Sequence, residues 1–277
     1  WEGLTDAGFA GALILEPSMG IGQFYGLVPE SVAAVSKLSG IEMDSLTARI
    51  AQQLYQAADI QHSPYERVNV KNLQDLVISN VPFGQYKASD KYDKSLKHKE
   101  SIHNFFFLKA LKNVRPGGVV AFITSRYTMD SVDPAVREKI TAAGGRFVGA
   151  VRLPNNTFMG IAKTKVTTDV IFIQKDTGDA QPWRNTKENA AGFIFNEYFH
   201  DHPENVLGKI DPKGGTQIGE WGLAPDGHDI GKELAQKIAA MPFDRAAMAE
   251  NSTEDAEIEE DAGEDADVPD GRLAIRD

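Results

Sequence analysis

The chain contains no cysteine, which excludes a disulfide framework and any metal site built on thiolates. It has no apolar run of about 18 residues or more, the length that a membrane-spanning helix requires, and no secretory signal. We therefore expect no membrane partner and a cytoplasmic location. The first of the 277 residues is Trp1 rather than methionine, and we interpret the chain as a piece of a longer protein.

Negative charge is concentrated at the C-terminal end. Residues 244–277 carry 13 acidic and three basic side chains, whereas residues 1–243 carry 27 and 26. The net charge of -11 therefore does not exclude nucleic acid as a partner of the nearly neutral body. The acidic segment has few apolar residues and no helical or strand period, which predicts a disordered tail. Such tails are usually only solubilising, although this one could mimic nucleic acid.

Strand-like and helix-like segments alternate from residue 13 to about residue 174. This alternation predicts an α/β fold with a doubly wound, mostly parallel sheet and an antiparallel strand late in the chain. We expect a core domain at residues 1–175, an irregular appendage packing on it at 176–243, and the tail at 244–277. The predicted strands are residues 12–15, 35–41, 60–62, 76–79, 119–123, 147–151 and 170–173. The predicted helices are residues 1–9, 45–55 with Leu46, Ile50 and Leu54 as its apolar residues, 103–114 as an amphipathic helix, and 134–143.

The predicted strand at residues 76–79 ends in Asn80-Val81-Pro82-Phe83. In open α/β sheets, ligands bind at the carboxyl ends of strands. The Asn80 side-chain oxygen and a nearby backbone carbonyl can accept both N–H groups of an exocyclic amine, while the Phe83 ring stacks on the heterocycle that carries it. The alternative is an ordinary turn with Phe83 in the core.

Upstream residues predict a nucleoside-like ligand. Glu16-Pro17 ends the first strand, and Gly20 and Gly22 follow in a turn that allows close backbone approach. The spacing fits neither the full dinucleotide fingerprint nor a phosphate loop. An acid at the end of the second strand, Glu42, is placed to bind ribose hydroxyls, although it or Asp44 could instead serve the start of the next helix.

Basic and aromatic residues follow Phe83. They are interleaved in a predicted loop that could contact nucleic-acid phosphates. The alternative is a solvated loop, because Asp90, Asp93 and Glu100 partly cancel its charge. A second predicted exposed connection covers residues 152–158 and 163–165, and the pair His200 and His202 lacks the further ligands of a metal site. The basic and aromatic residues are Lys87, Lys91, Lys94, Lys97, Lys99, Tyr86, Tyr92 and His98.

In their order, these segments resemble the S-adenosylmethionine-dependent N6-adenine DNA methyltransferases. Among these, the chain is most similar to the methylase module of large helicase-methyltransferase proteins of phages and mobile elements. The resemblance lies in Leu15-Glu16-Pro17-Ser18-Met19-Gly20-Ile21-Gly22, Gly40-Ile41-Glu42-Met43-Asp44, Ile78-Ser79-Asn80-Val81-Pro82-Phe83-Gly84, His103-Asn104-Phe105-Phe106-Phe107, Arg115-Pro116-Gly117-Gly118-Val119-Val120-Ala121-Phe122 and Leu153-Pro154-Asn155-Asn156-Thr157-Phe158.

The resemblance implies a Rossmann-like class I methyltransferase fold with seven strands and S-adenosylmethionine as the cofactor. The implied partners are DNA and a helicase region of the same parent polypeptide, with no metal. The resemblance also implies a role for each residue of the matching motifs. Glu16, Pro17, Gly20 and Gly22 would hold the methionine part of the cofactor, Glu42 its ribose, and Met43 and Glu66 its adenine. Asn80, Val81, Pro82 and Phe83 would receive a flipped adenine, and Lys87, Lys91, Arg126 and Phe158 would contact DNA.

The chain departs from the family pattern in two places. Val81 stands where the family more commonly has a second proline. The resemblance also leads us to expect that the family segment before the first strand, which helps to close the cofactor site, is not part of this sequence. Two other functions therefore stay open. One is methylation of RNA adenine or of a protein glutamine, and the other is a catalytically weak or degenerate methylase fold that binds DNA or acts in antirestriction.

Overall fold

A seven-stranded, mostly parallel sheet forms the centre of the protein. The structure is a computed structural model that describes residues 1–84, 86–162, 165–215, 220–227 and 229–250, without the side chains of 97–99 and 161–162. The strands are β1 Leu13–Glu16, β2 Lys37–Glu42, β3 Asp59–His62, β4 Gln74–Asn80, β5 Lys87–Ser89, β6 Lys97–Ser101, β7 Val114–Ser125, β8 Gly145–Leu153, β9 Thr168–Lys175, β10 Thr186–Glu188, β11 Ile194–Asn196, β12 Lys209–Asp211 and β13 Gly222–Ala224.

Helices cover both faces of the sheet. They are α1 Glu2–Asp6, α2 Gln23–Gly26, α3 Glu30–Ala33, α4 Ser45–Leu54, α5 Ile102–Asn113, α6 Tyr127–Asp130, α7 Ala135–Ala142, α8 Met159–Ala162, α9 Glu197–Asp201, α10 Ile230–Ala240 and α11 Arg245–Ala249, with single 3-10 turns at Tyr65–Arg67 and Pro203–Asn205. In the described part of the chain, no helix combines the length and apolar character needed to cross a membrane.

The strand order is β3-β2-β1-β4-β7-β9-β8. Neighbours from β3 to β7 pair in parallel, and β9 pairs antiparallel with both β7 and β8. The predicted doubly wound sheet with a late antiparallel strand is therefore confirmed. Parallel connections bring the carboxyl ends of β1, β2, β3, β4 and β7 to one edge, where ligands bind in such sheets.

Two apolar clusters lie on opposite faces of the sheet. One contains Leu15, Val77 and Phe122 together with the rings of α5, and we call this side the α5 face. The other contains Ile14, Ile78 and Ala51 of α4, and we call it the α4 face. Because both faces are covered, strands such as β4 are buried almost throughout, as expected for parallel strands.

The apolar residues predicted for helix α4 lie on its exposed side. Leu46 is 63% exposed, Ile50 41% and Leu54 59%, whereas Ala48 and Ala51 are fully buried. The helix packs through these small alanines, which lets its backbone approach the sheet. The residues with the largest side chains therefore do not mark the buried side.

The other apolar helix, α5, was predicted to be amphipathic, and this is wrong. Nearly all its residues are buried, including His103 and Lys109, because β7, α7 and the β5–β6 hairpin pack around it. The hairpin itself replaces the predicted lysine-rich loop.

The prediction that residues 152–158 form an exposed connection is also wrong. Arg152, Leu153 and Asn155 are buried, because the C-terminal appendage covers this end of β8. The Leu207 N–H donates to the Arg152 carbonyl over 2.9 Å. Residues 163–164 lie outside the described residues.

The appendage packs on the core through aromatic rings and helix α10. The Trp183 ring stacks on Phe147 with centroids 4.6 Å apart, and α10 packs against α1. The sequence predicts that a disordered tail begins at residue 244. In the structure, helix α11 follows this residue, and its Ala247 and Met248 carbonyls accept hydrogen bonds from the Arg115 side chain. Residues 251–277 lie outside the description, and the division into domains stays a prediction.

Candidate active site

Glu16 ends β1 as a buried carboxyl group without a full set of partners. Its Oε2 atom is buried and has no hydrogen-bond partner in the structure. Burial, with a smaller contribution from the charge of Glu42, raises the pKa of Glu16 well above its usual value. The Tyr25 hydroxyl accepts the Glu16 N–H over 3.1 Å. A buried carboxyl with an unused oxygen is a ready acceptor for a cationic group.

The glycine turn after β1 is fastened to β2. The Gly20 N–H donates to Glu42 Oε2 over 2.8 Å. Gly22 has a φ of 80°, and a Cβ added there would lie 2.4 Å from the Tyr55 ring. The Tyr55 hydroxyl also donates to the Gly22 carbonyl over 2.6 Å. Both the left-handed backbone and the close ring require glycine at this position.

Glu42 and Asp44 have separate roles. Asp44 caps α4 by accepting the Thr47 N–H and hydroxyl over 2.8 and 2.6 Å, and these hydrogen bonds lower the pKa of Asp44. Glu42 instead accepts the N–H groups of Gly20 and Asp44, each over 2.8 Å. Its carboxylate is held at the strand edge with further acceptor sites available.

Met43 and Glu66 lie beyond the ends of β2 and β3. The Met43 side chain is 65% exposed, and its carbonyl is 3.2 Å from His62 Nε2. Glu66 belongs to a 3-10 turn, and its carbonyl accepts the Lys91 N–H over 2.8 Å. The structure thus gathers Glu16, Pro17, Gly20, Gly22, Glu42 and Met43 at one edge of the sheet, with Glu66 following β3.

Asn80 is the last residue of β4 and is exposed, unlike the strand before it. The Val81 side chain is buried, and its N–H donates to the Ile123 carbonyl over 3.1 Å. Phe83 is 38% exposed, so its ring is open to a ligand. Proline could not donate the hydrogen bond that Val81 makes, and this bond holds the turn against β7.

A histidine behind this turn was not singled out from the sequence. His103 lies near the start of α5, and its Nε2 is 3.1 Å from the Ser101 hydroxyl. Burial lowers the pKa of His103 to about 4, so the ring is neutral at physiological pH. Its proximity to the turn depends on tertiary packing, which residue spacing does not reveal.

Acidic residues of the β5–β6 hairpin form ion pairs with helix lysines. Asp90 pairs with the buried Lys109, Asp93 with Lys112 and Glu100 with Lys139. The three acids of the hairpin therefore neutralise lysines of helices α5 and α7, and they leave the described lysines of the hairpin itself uncompensated. The side chains of Lys97, His98 and Lys99 lie outside the description. Lys87, Lys91 and Lys94 are exposed and have no ion pair among the described residues.

Arg126 and Phe158 are the two predicted DNA-contacting residues outside the hairpin, and both contact other parts of the protein. The Arg126 guanidinium bonds to Glu220 over 2.9 Å and lies 4.4 Å from the Trp221 ring centroid. The Arg126 charge is therefore engaged within the protein, and its contact with DNA stays a prediction. Phe158 is partly buried and packs on the α4-face cluster.

The pair His200 and His202 lacks the geometry of a metal centre. His200 bonds to the Lys187 carbonyl and His202 to Glu204, each over 3.2 Å. Within the described residues, no group of three or more histidine or acidic side chains could hold a metal ion.

A cavity of about 420 Å³ lies on the α5 face, lined in part by Leu15, Ser39 and Gln61, away from Asn80.

Residues 33–195 match the N-6 DNA methylase family. The match spans more than half of the chain. The chain belongs to this family. The Defense against restriction protein B of Escherichia phage P1 is 28% identical over 178 residues, which cover 63% of this chain and 8% of the phage protein. The chain therefore spans less than a tenth of that curated relative.

Solved structures show the same fold at low sequence identity. A Listeria monocytogenes protein assigned as a class I S-adenosylmethionine-dependent methyltransferase superposes with a TM-score of 0.55 at 20% identity, covering 65% of this chain and 59% of that one. The methyltransferase subunit of a type I restriction-modification system from Streptococcus thermophilus gives 0.53 at 14% identity, covering 64% and 43%. The predicted class I methyltransferase fold is thus confirmed.

Proposed function

We propose that this N-6 DNA methylase family member transfers a methyl group from S-adenosylmethionine to the N6 amine of an adenine flipped out of DNA. The observation that carries this proposal is the turn from Asn80 to Phe83, two exposed residues at the end of a buried central strand. It lies at the same sheet edge as Glu16 and Glu42. An amine acceptor and a cofactor site at one edge are what transfer between two bound ligands requires.

The residues at this edge fit the parts of S-adenosylmethionine. The unpartnered Glu16 oxygen matches the ammonium of the methionine part. The Glu42 carboxylate matches the ribose hydroxyls, and the exposed Met43 offers an apolar surface to the adenine. Glu66, after β3, completes the proposed adenine side of the site.

The cofactor supplies an activated methyl group on a sulfonium. The protein positions the accepting amine in line with it and adjusts the amine electronically. The Asn80 side-chain oxygen and the Val81 carbonyl accept hydrogen bonds from the two amine N–H groups, which keeps the nitrogen lone pair available for attack. Pro82 stiffens the turn, and the half-open Phe83 ring stacks on the base.

The hairpin supports DNA as the substrate. Lys87 and Lys91 are exposed beyond Phe83, and the three hairpin acids are paired with other lysines. The hairpin therefore presents uncompensated positive charge next to the proposed base pocket. Charge of this kind contacts phosphates and positions the duplex.

Replacing Asn80 tests the proposal directly. We expect Asn80→Ala to lower methyl transfer by about 100-fold or more, because a preorganised acceptor at the reacting group is lost. Cofactor affinity should stay within about twofold. The measurement is incorporation of labelled methyl groups into DNA from a methylation-free host, followed by nucleoside analysis for N6-methyladenine.

Parallel reactions with RNA and with protein distinguish the other substrates. Label that appears in RNA adenine or in glutamine, but not in DNA, would replace the proposed substrate. Unchanged turnover of the Asn80 variant would contradict the role of Asn80.

The phage relative favours a second candidate. Its name refers to defence against restriction, and this chain corresponds to a small part of it. A methylase-fold module that binds DNA within a larger antirestriction polypeptide, together with a helicase region, is the alternative. Binding of DNA without any transfer, in the presence of the cofactor, would favour this function.

A further inference from the structure

Unpartnered hydroxyl groups cluster where β7 and β9 meet at the proposed active edge. The side-chain oxygens of Thr124, Ser125 and Thr168 are buried and have no hydrogen-bond partner in the described part of the chain. A buried polar group without a partner is costly, because it has lost its hydrogen bonds to water. The three residues lie within two cross-strand pairs, and a ligand can supply the missing hydrogen bonds to those hydroxyls that share the face of the proposed site.

Strand register assigns two of these hydroxyls to the α4 face. Side chains alternate between faces along a strand, and Ile123 packs on the α4-face cluster, so Ser125 shares its side. Ser125 pairs directly with Thr168. Val170 belongs to the same cluster, which places Thr168 on the α4 face as well. Thr124 lies on the opposite, α5 face.

Asn80 shares that face and that edge. Leu76 and Ile78 of β4 pack in the α4-face cluster, and Asn80 continues their alternation. Asn80 pairs with Ile123 of β7, two residues before Ser125. Asn80, Ser125 and Thr168 therefore follow one another on three adjacent strands, β4, β7 and β9.

We propose that the hydroxyls of Ser125 and Thr168 bind the base whose amine is held by Asn80. This inference rests on the proposed function and specifies its base pocket. The Asn80 side-chain oxygen and the Val81 carbonyl accept hydrogen bonds from the amine, whereas the ring nitrogens of adenine are acceptors and need donors. The two hydroxyls provide such donors on a neighbouring side of the pocket. A glutamine side chain has no ring nitrogens, so the pair selects a heterocycle.

Removal of the hydroxyls should weaken transfer without weakening the fold. We expect Ser125→Ala and Thr168→Val each to lower kcat/KM on methylation-free plasmid DNA by about threefold to tenfold, and the double variant by about 10-fold to 100-fold. Because the hydroxyls are unpaired in the free protein, the melting temperature should not fall, and Thr168→Val should leave it equal or higher. Cofactor affinity should stay within about twofold.

Thr124→Val is the matched control. It removes an adjacent buried and unpartnered hydroxyl on the opposite face, and we expect its kcat/KM to stay within about twofold of the parent chain. Unchanged transfer in the double variant, with Asn80→Ala inactive, would overturn the inference and leave the proposed function standing. A melting temperature lowered together with activity would also overturn it, because the hydroxyls would then be structural. Absence of transfer by the parent chain would overturn both.

Discussion

At the scale of single residues, Glu16 is a buried carboxyl group at the edge of the sheet where we propose that the cofactor binds. Its carboxyl group is buried beside Tyr25, with one oxygen unpartnered. Its pKa is raised by burial and, to a lesser degree, by Glu42. An ionised carboxylate in this position is costly until a cation arrives. If Glu16 binds the cofactor as proposed, its burial lowers the stability of the free protein and raises its affinity for the cofactor.

We expect Glu16→Gln to stabilise the free protein and to weaken cofactor binding. Because the pKa of Glu16 is raised in the folded state, the unfolded chain loses this proton at lower pH than the folded chain does. Unfolding therefore becomes more favourable as pH rises from the usual carboxyl pKa through the folded value. The variant should lack this loss of stability, whereas its cofactor affinity should fall by about 10-fold to 100-fold, as expected for a charge-assisted hydrogen bond.

Melting temperatures between pH 5 and pH 9 and calorimetric titration with S-adenosylmethionine measure the two effects. Glu30→Gln, at an exposed acid in the first turn of α3, is the matched control and should change neither. Cofactor affinity unaltered in Glu16→Gln would remove Glu16 from the proposed site.

Val81 illustrates what a motif can and cannot predict. The sequence predicts that the chain leaves β4 at Asn80, and the structure shows β4 ending there, whereas the role of this turn as an amine acceptor stays a prediction. From the sequence, Val81 in place of a second proline implies a loss of rigidity. In the structure its N–H bonds to the Ile123 carbonyl over 3.1 Å, which proline could not do. The partner belongs to a strand about forty residues away, so no local pattern could indicate it.

At the scale of elements, the β5–β6 hairpin is attached to two other segments. Lys109 of α5 bonds to Asp90 at the hairpin tip and, over 2.8 Å, to the Val68 carbonyl. The Lys91 N–H bonds to the Glu66 carbonyl. These contacts hold the backbone of the hairpin, which carries the exposed lysines, next to the segment that contains Glu66.

We expect the double variant Lys87→Gln/Lys91→Gln to bind DNA more weakly and with less dependence on salt. Each lost phosphate contact should reduce the slope of log affinity against log salt by about 0.9, and the double variant therefore by up to about 1.8. Fluorescence anisotropy with a labelled duplex at several salt concentrations measures this slope. Lys37→Gln, which removes one positive charge at the start of β2, is the control for the effect of a single lost charge away from the hairpin. A slope of log affinity against log salt that is equal in Lys37→Gln and in the double variant would contradict the hairpin interface.

Elements differ in how far the sequence predicts them. The strands of the sheet were predictable because parallel strands read as short apolar runs between turns. The buried side of α4 was not, since alanines face the sheet while Leu46, Ile50 and Leu54 face outward. Helix α5 is buried on nearly all sides, which depends on the hairpin and α7. Which side of a helix becomes covered is decided by distant parts of the chain.

At the scale of the whole molecule, Arg152 joins the sheet to the appendage. It is fully buried and bonds to Asp130 and Asp169 over 2.9 and 2.7 Å. Its guanidinium lies 4.8 Å from the Phe195 ring centroid and 4.3 Å from that of Phe199. Although burial alone disfavours the charged form, the two carboxylates raise the pKa of Arg152 above its ordinary value.

Loss of this guanidinium should destabilise the core and the appendage together. Arg152→Met leaves Asp130 and Asp169 buried without their counter-ion, and we expect the free energy of unfolding to fall by about 3–5 kcal/mol, as measured in urea. Arg184→Met is the control, because its pair with Glu138 is exposed and should contribute about 0–1 kcal/mol. Trp183 and Trp221 pack on the rings around this region, so tryptophan fluorescence and far-ultraviolet circular dichroism should show one common transition. Separate transitions, or equal losses in the two variants, would mean that Arg152 does not connect the appendage to the sheet.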